Sequence, residues 1–157
     1  MTAVADTYWQ MPPNQGRALM IAQKEVSVFV YDAVRLEGLN FTLPEIQTLL
    51  QGITVGGHKL SDQQIAINQS ETWKALFQRI RERQFQLTKE CAKSLHAIAA
   101  KEEALEWGCF RSGSVLIAGT DYEPPAAEKL PALFDEMKDS LDEINDIYDQ
   151  AIHIFLT

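Results

Sequence analysis

Apolar residues recur at steps of three and four along most of this chain, and the recurrence is punctuated by glycines and helix-capping signals. Leu19, Ala22, Val26, Phe29, Ala33 and Leu36 place one apolar face on a helix. Gly38 follows, the residue type that best closes a helix in the left-handed conformation. Thr42-Leu43-Pro44-Glu45 has the form of a capping box with proline in the first turn, and it opens a short helix reaching Gly52. Ser61-Asp62-Gln63-Gln64 reads as a second box, opening a helix that carries Ile65, Trp73, Leu76, Phe77 and Ile80. Thr88 caps a further helix, with Cys91, Leu95 and Ile98 inward. A chain punctuated in this way is predicted to be mainly α.

Three stretches depart from that texture. Residues 1–16 carry Met11-Pro12-Pro13 and read as an irregular arm, and Gly56-Gly57 makes a turn. Gly108 to Gly119 has glycines at its joints around the apolar Val115-Leu116-Ile117, which predicts a strand pair or β-flap. The extended Tyr122-Glu123-Pro124-Pro125 ends it. The final segment is the most regular: Leu130, Phe134, Met137, Leu141, Ile144, Tyr148, Ala151 and Phe155 predict one unbroken helix. Its opposite face is acidic, with eight Asp/Glu against two Lys between Glu128 and Asp149. The pattern stops on Ile154-Phe155-Leu156 without a stop signal, so the helix reads as cut short and inclined to self-associate.

At 157 residues with 46% hydrophobic composition, the length suits about one domain with its own core. The net charge of −8 gives no electrostatic reason to bind nucleic acid or an anionic membrane. Arg79, Arg81 and Arg83 are interleaved with Glu82 and read as a solvated helix face. Cys91 and Cys109 form no Cys-x-x-Cys, and His58, His96 and His153 are scattered, so no metal cage is expected. Two unpaired cysteines and no signal-like N-terminus suit a cytoplasmic protein. Gly108 to Gly113 has the glycine spacing of a phosphate-binding loop, but Ser114 stands where its lysine belongs. Neither a dinucleotide fingerprint nor a nucleophile elbow is present, and no residue stands out as catalytic.

Glu37 is physically odd. It falls in the last turn of its helix, where the macrodipole disfavours a carboxylate by roughly 0.3–1 kcal/mol. Either it is exposed and screened, or it serves a cationic partner elsewhere.

Three stretches together resemble the Fic family, whose members transfer AMP from ATP to hydroxyl side chains of target proteins. The first is Ala33-Val34-Arg35-Leu36-Glu37-Gly38 followed by Thr42 and Glu45, similar to the family's inhibitory motif, Ser/Thr-x-x-x-Glu-Gly/Asn, with its Thr-x-x-Glu continuation. Ala33 stands where the motif has Ser or Thr. Asn68 matches an asparagine that many members carry on the next long helix. The second stretch is Leu95-His96, then Gly108, Phe110-Arg111, Val115, Ile117, Gly119 and Tyr122-x-Pro124-Pro125, similar to the start of the Fic core and its flap. The third is the helix from Ala127, with Leu130-Pro131, Met137, Ala151 and His153, similar to the approach to the family signature His-x-Phe-x-Asp/Glu-Gly-Asn-Gly/Lys-Arg. The signature itself is absent from the sequence.

The resemblance implies a Fic-like helical bundle with a β-hairpin flap, apparently truncated before its active-site loop. Residues 1–84 would form a helical regulatory region, and residues 85–157 the beginning of the Fic core. Glu37 and Gly38 would be inhibitory: the glutamate pairs with a signature arginine and crowds the γ-phosphate of ATP. Arg111, Val115, Ile117 and Gly119 would form the target-docking flap, though Arg111 would equally suit a role supporting the flap or neutralising the acidic helix. ATP and Mg²⁺ are expected of a complete family enzyme, and neither is expected to be bound by this chain. No catalytic or metal-binding residue is assigned. The functions implied are the N-terminal part of a self-inhibited AMP transferase, inactive as it stands, or a non-catalytic Fic-like protein docking a partner. Expected partners are a protein target at the flap and a second copy of the chain, with no nucleic acid and no membrane.

Overall fold

The computed structural model describes residues 14–156, and nearly all of the proline-containing arm expected at 1–16 lies outside them. Among the described residues there are seven α-helices and no strand: α1 (Gln15–Lys24), α2 (Val26–Leu36), α3 (Leu43–Leu50), α4 (Leu60–Arg81), α5 (Lys89–Ala99), α6 (Leu130–Ser140) and α7 (Ile147–Leu156). Short 3₁₀ turns precede and follow α6.

The first expected helix is two. Asn14 caps α1 by accepting from the Arg17 N–H at 2.8 Å, and the ladder breaks at Glu25, which ends α1 and begins α2. The residues sealed from solvent on α2 are Val30 and Val34, both 0% exposed, whereas Leu36 is 88% exposed. The apolar face is therefore rotated from the expected stripe. Val26, Phe29, Val30 and Val34 make α2 apolar on more than one side, so packing partners, and not spacing alone, select the buried side.

Both ends of the α2–α3 connection are tightly made. The Leu39 N–H donates to the Val34 carbonyl and the Gly38 N–H to the Arg35 carbonyl, each at 3.0 Å, with Gly38 at φ +77°. This is a Schellman closure, and Leu39 packs onto the cluster that contains Val34. Four residues after Gly38, the Thr42 N–H donates to Glu45 Oε2 at 2.7 Å, and the Glu45 N–H to Thr42 Oγ1 at 3.4 Å. The expected capping box is thus formed. The corner brings Val30, Val34, Phe41, Ile46 and Leu49 together with Ala66 of α4 as the main core.

The second expected box is not used. Helix α4 begins at Leu60 behind Lys59, which makes no capping bond. Gln64, the residue that would close the box on Ser61, donates instead to Asn68 Oδ1 at 2.9 Å, while its neighbour Gln63 is 4% exposed, exchanges hydrogen bonds with the Val55 N–H and carbonyl, each at 3.1 Å, and donates to the His58 carbonyl. Ser61 Oγ turns to Asp62 Oδ1 at 3.2 Å, so neither half of the box is made.

Helix α4 packs against α1, α2, α3 and α5. Thr88 caps α5 as expected, accepting from the Cys91 N–H at 3.1 Å. The last segment is not one helix. Ile144 is extended (φ −103°, ψ 114°), and Asp146 Oδ1 accepts from the Tyr148 and Asp149 N–H groups, starting α7 afresh. Gln150 donates to the Leu141 and Ile144 carbonyls, holding the bend. Apolar periodicity continued through this bend, and the Asn145-Asp146 stop signal inside it decided the break. Tyr148 and Phe155, expected on a buried seam, are 61% and 88% exposed.

The capping box yields a pH prediction. The Thr42 N–H, then its hydroxyl, then His58 at 3.3 Å hold the Glu45 carboxyl below its ordinary value of 4.5. A carboxyl depressed in the folded state contributes stability above its unfolded pKa and loses it as pH falls through the folded value. Urea unfolding should therefore show the wild type losing stability more steeply than Glu45→Gln below about pH 4.5.

Candidate functional site

Glu37 is the C-cap of α2 and is exposed, held by its own N–H donating to the Ala33 carbonyl at 3.3 Å. It forms no ion pair with any described residue. Another carboxylate, that of Glu103, lies close enough to feel its charge. The residues after α5 turn sharply, with Glu102 at φ +64° and the Glu103 and Ala104 N–H groups both donating to the Ala100 carbonyl. Glu103 is exposed as a residue, yet its carboxyl is partly desolvated. That burial first, and the Glu37 carboxylate second, hold its pKa above the ordinary value.

Asn68 anchors this turn. It is 6% exposed, donates to the Lys101 carbonyl at 3.0 Å and accepts from Gln64 at 2.9 Å. The asparagine noted on the long helix therefore acts on the loop that carries Glu103. Sequence reasoning missed Glu103 itself, which lies in an acidic, patternless stretch and nears Glu37 through the packing of α5 on α4 and this long-range bond.

The flap residues form a separate region. The Gly108 N–H donates to His96 Nδ1 at 3.1 Å. Gly108 sits at φ +72°, and a Cβ there would stand 2.9 Å from the Ala97 Cβ. Phe110 meets Phe134 edge-on with ring centres 6.3 Å apart, and the Lys93 ammonium lies 5.2 Å from the Phe110 ring centre. Arg111 donates to the Gly113 carbonyl at 2.8 Å and to the Pro125 carbonyl. It forms no ion pair with a carboxylate of the acidic segment among the described residues. Glu106 accepts from the Ser112 N–H and hydroxyl, which depress its carboxyl in that order.

The expected β-hairpin is not formed: residues 109–126 include no strand. A two-stranded ribbon is marginal without a third strand or a packed face, and here Arg111 and Glu106 hold the segment by its base. Val115, Leu116 and Ile117 are exposed beyond it, at 45%, 89% and 52%. Gly119 turns at φ +81°. The structure therefore places Glu37 and Gly38 at one locus, and Arg111, Val115, Ile117 and Gly119 in another segment.

Among the described residues, no three His, Cys, Asp or Glu side chains converge where a metal ion could sit. Glu37 and Glu103 set two carboxylates within electrostatic reach of each other. Among the described residues, no helix is long and apolar enough to cross a membrane.

The chain has a Fic-like helical fold. It superposes on the crystal structure of a Fic family protein from Desulfovibrio desulfuricans with a TM-score of 0.57 and 20% sequence identity. The match covers 83% of this chain and 37% of that one, so the chain spans well under half the length of this relative. No protein-family model matches the sequence, and no curated protein does.

Two outcomes test this geometry. Because Glu37 is a secondary cause of the raised Glu103 pKa, Glu37→Gln should lower it without returning it to the ordinary value, since burial persists. Carboxyl-carbon NMR titration of Glu103 reads this directly. Gly108→Ala should destabilise the chain by roughly 1–2 kcal/mol from left-handed strain alone, with the Ala97 contact adding to it. Gly113→Ala, where a Cβ meets nothing within 4 Å, should stay within about 0.5 kcal/mol in thermal denaturation.

Proposed function

We propose that this chain is the N-terminal part of a self-inhibited Fic-type AMP transferase, with Glu37 and Gly38 as its inhibitory helix end and no transfer activity of its own. The observation that carries this reading is Glu37: an exposed carboxylate locked at the closed end of α2, beside Glu103, with no described cation to serve. It stands in a fold shared with a Fic family protein. On this reading the cation is an arginine of the family signature, and the two carboxylates repel the γ-phosphate of ATP. The acceptor hydroxyl's base, the metal-binding carboxylate and the phosphate-binding turn would come from that signature, which this sequence lacks.

A second reading has its own support. Val115, Leu116 and Ile117 form an exposed apolar run on a segment held only at its base. That suits a protein that docks a partner through added backbone pairing without performing chemistry.

With labelled ATP and a cell lysate, the 157-residue chain is expected to label neither itself nor a target. In a longer form of the protein that includes the signature, Glu37→Gly should raise labelling by about tenfold or more, since roughly 1.4 kcal/mol of relieved repulsion is a factor of ten. Gly at this position costs little, because Gly38 already closes the helix. Unchanged labelling, with helicity intact by circular dichroism, rejects Glu37 as the inhibitor and favours the docking reading.

A further inference from the structure

Helix α7 is held to the chain by its polar side. Gln150 donates to the Leu141 and Ile144 carbonyls at 3.2 and 2.8 Å, and His153 Nε2 meets Ser140 Oγ at 2.7 Å. Ile147, Tyr148, Ala151, Ile152, Phe155 and Leu156 follow one another at steps of one and three, which sets them together on the other side of the helix. All of them are exposed, with Tyr148 at 61% and Phe155 at 88%. The helix cannot roll this face inward without breaking the bonds of Gln150 and His153. Single exposed apolar residues are ordinary, whereas a contiguous apolar face marks an interaction surface.

Area and charge both fit a second copy of the chain. With roughly 150–250 Å² for a large aromatic and less for an aliphatic, the face offers on the order of 700 Å² per copy, close to the roughly 800 Å² per partner of a standard protein interface. Charge then sets the orientation. Asp142, Glu143, Asp146 and Asp149 gather at the start of α7, and residues 150–156 include no Asp, Glu, Lys or Arg. A parallel pair would put the two acidic ends side by side. An antiparallel pair puts each acidic end against the uncharged last turn of the other copy, and it opposes the two helix dipoles. It is also a closed two-fold arrangement, the commonest among homo-oligomers. We propose that the chain dimerises through α7, with the two helices antiparallel and crossing at Ala151 and Ile152. The small Ala151 lets the backbones approach there, and Tyr148 of one copy packs beside the partner's Phe155.

The test is sedimentation equilibrium of the 157-residue chain. A dimer is expected at about 100 μM, tightening with added salt as the repulsion between two chains of net charge −8 is screened. Phe155→Asp and Ile152→Asp, both at exposed positions, should keep their helicity by circular dichroism. Each should weaken the dimer by about a hundredfold or more, because a two-fold interface loses the side chain twice. Leu105→Asp, at an exposed apolar residue outside α7, should leave the dimer unchanged. With Cys109→Ser removing the exposed native thiol, Ala151→Cys should cross-link the dimer on oxidation. Ile147→Cys should not, since its two copies stand roughly 13 Å apart along the helix axes, beyond the reach of a disulfide. A monomer at that concentration, a dimer that salt dissolves, an undiminished dimer in either folded α7 variant, loss of the dimer in Leu105→Asp, or cross-linking by Ile147→Cys but not by Ala151→Cys overturns the proposal.

Discussion

The corner between α2 and α3 is the constraint on which the rest of the structure depends. Within eight residues, a Schellman closure at Gly38 ends one helix and a Thr42–Glu45 box starts the next. Those bonds satisfy backbone groups that helix ends otherwise leave unpaired, and they turn the chain back so that Val34 meets Ile46 beneath Phe41. Phe41 in turn stacks on His58 with ring centres 3.9 Å apart, and His58 reaches Glu45. The position of Glu37 is a consequence of this corner. Its carboxylate stands at the negative end of α2 because the closure fixes it there, and solvent exposure makes the dipole penalty tolerable.

Three buried polar side chains on α4 show how one helix positions loops on both sides. Gln63 holds the segment around Val55 and His58, and Asn68 holds the turn at Lys101. Each exchanges water for backbone partners, so its burial is offset. Ser70, two residues beyond Asn68, has no such partner.

The chain is unevenly built. All of the main core cluster comes from α2, α3, α4 and the corner, whereas α6 and α7 contribute no buried residue. The later elements are held by discrete polar contacts: Lys89 to Asp135 at 2.7 Å, Gly108 to His96, and Ser140 to His153 at 2.7 Å. Such segments open at lower free energy than a sealed core. The exposed Val115, Leu116 and Ile117 of the flap segment, and Ile147, Ile152 and Phe155 of α7, belong to this loosely held half.

Local chemistry was legible in the sequence. The Gly38 stop, the Thr42 box and the Thr88 cap depend on a residue and its neighbours within four positions, and each formed as its residues dictate. The helical character was legible for the same reason, whereas the Fic-like fold was expected only from the resemblance of three stretches to that family. Tertiary structure decided whatever depended on distant partners. It chose Val30 and Val34 over Leu36 as the buried side of α2, because several faces were apolar and only contact with α3 and α4 distinguishes them. It drew Gln64 away from the Ser61 box to Asn68 and set Gln63 into the Val55 loop, and it left the flap unpaired because no strand among the described residues supports it. It also brought Glu103 to Glu37 through Asn68 and Lys101, thirty-three residues apart. Spacing along a chain encodes which groups share a helix face, and only the closed fold determines which charges meet across it.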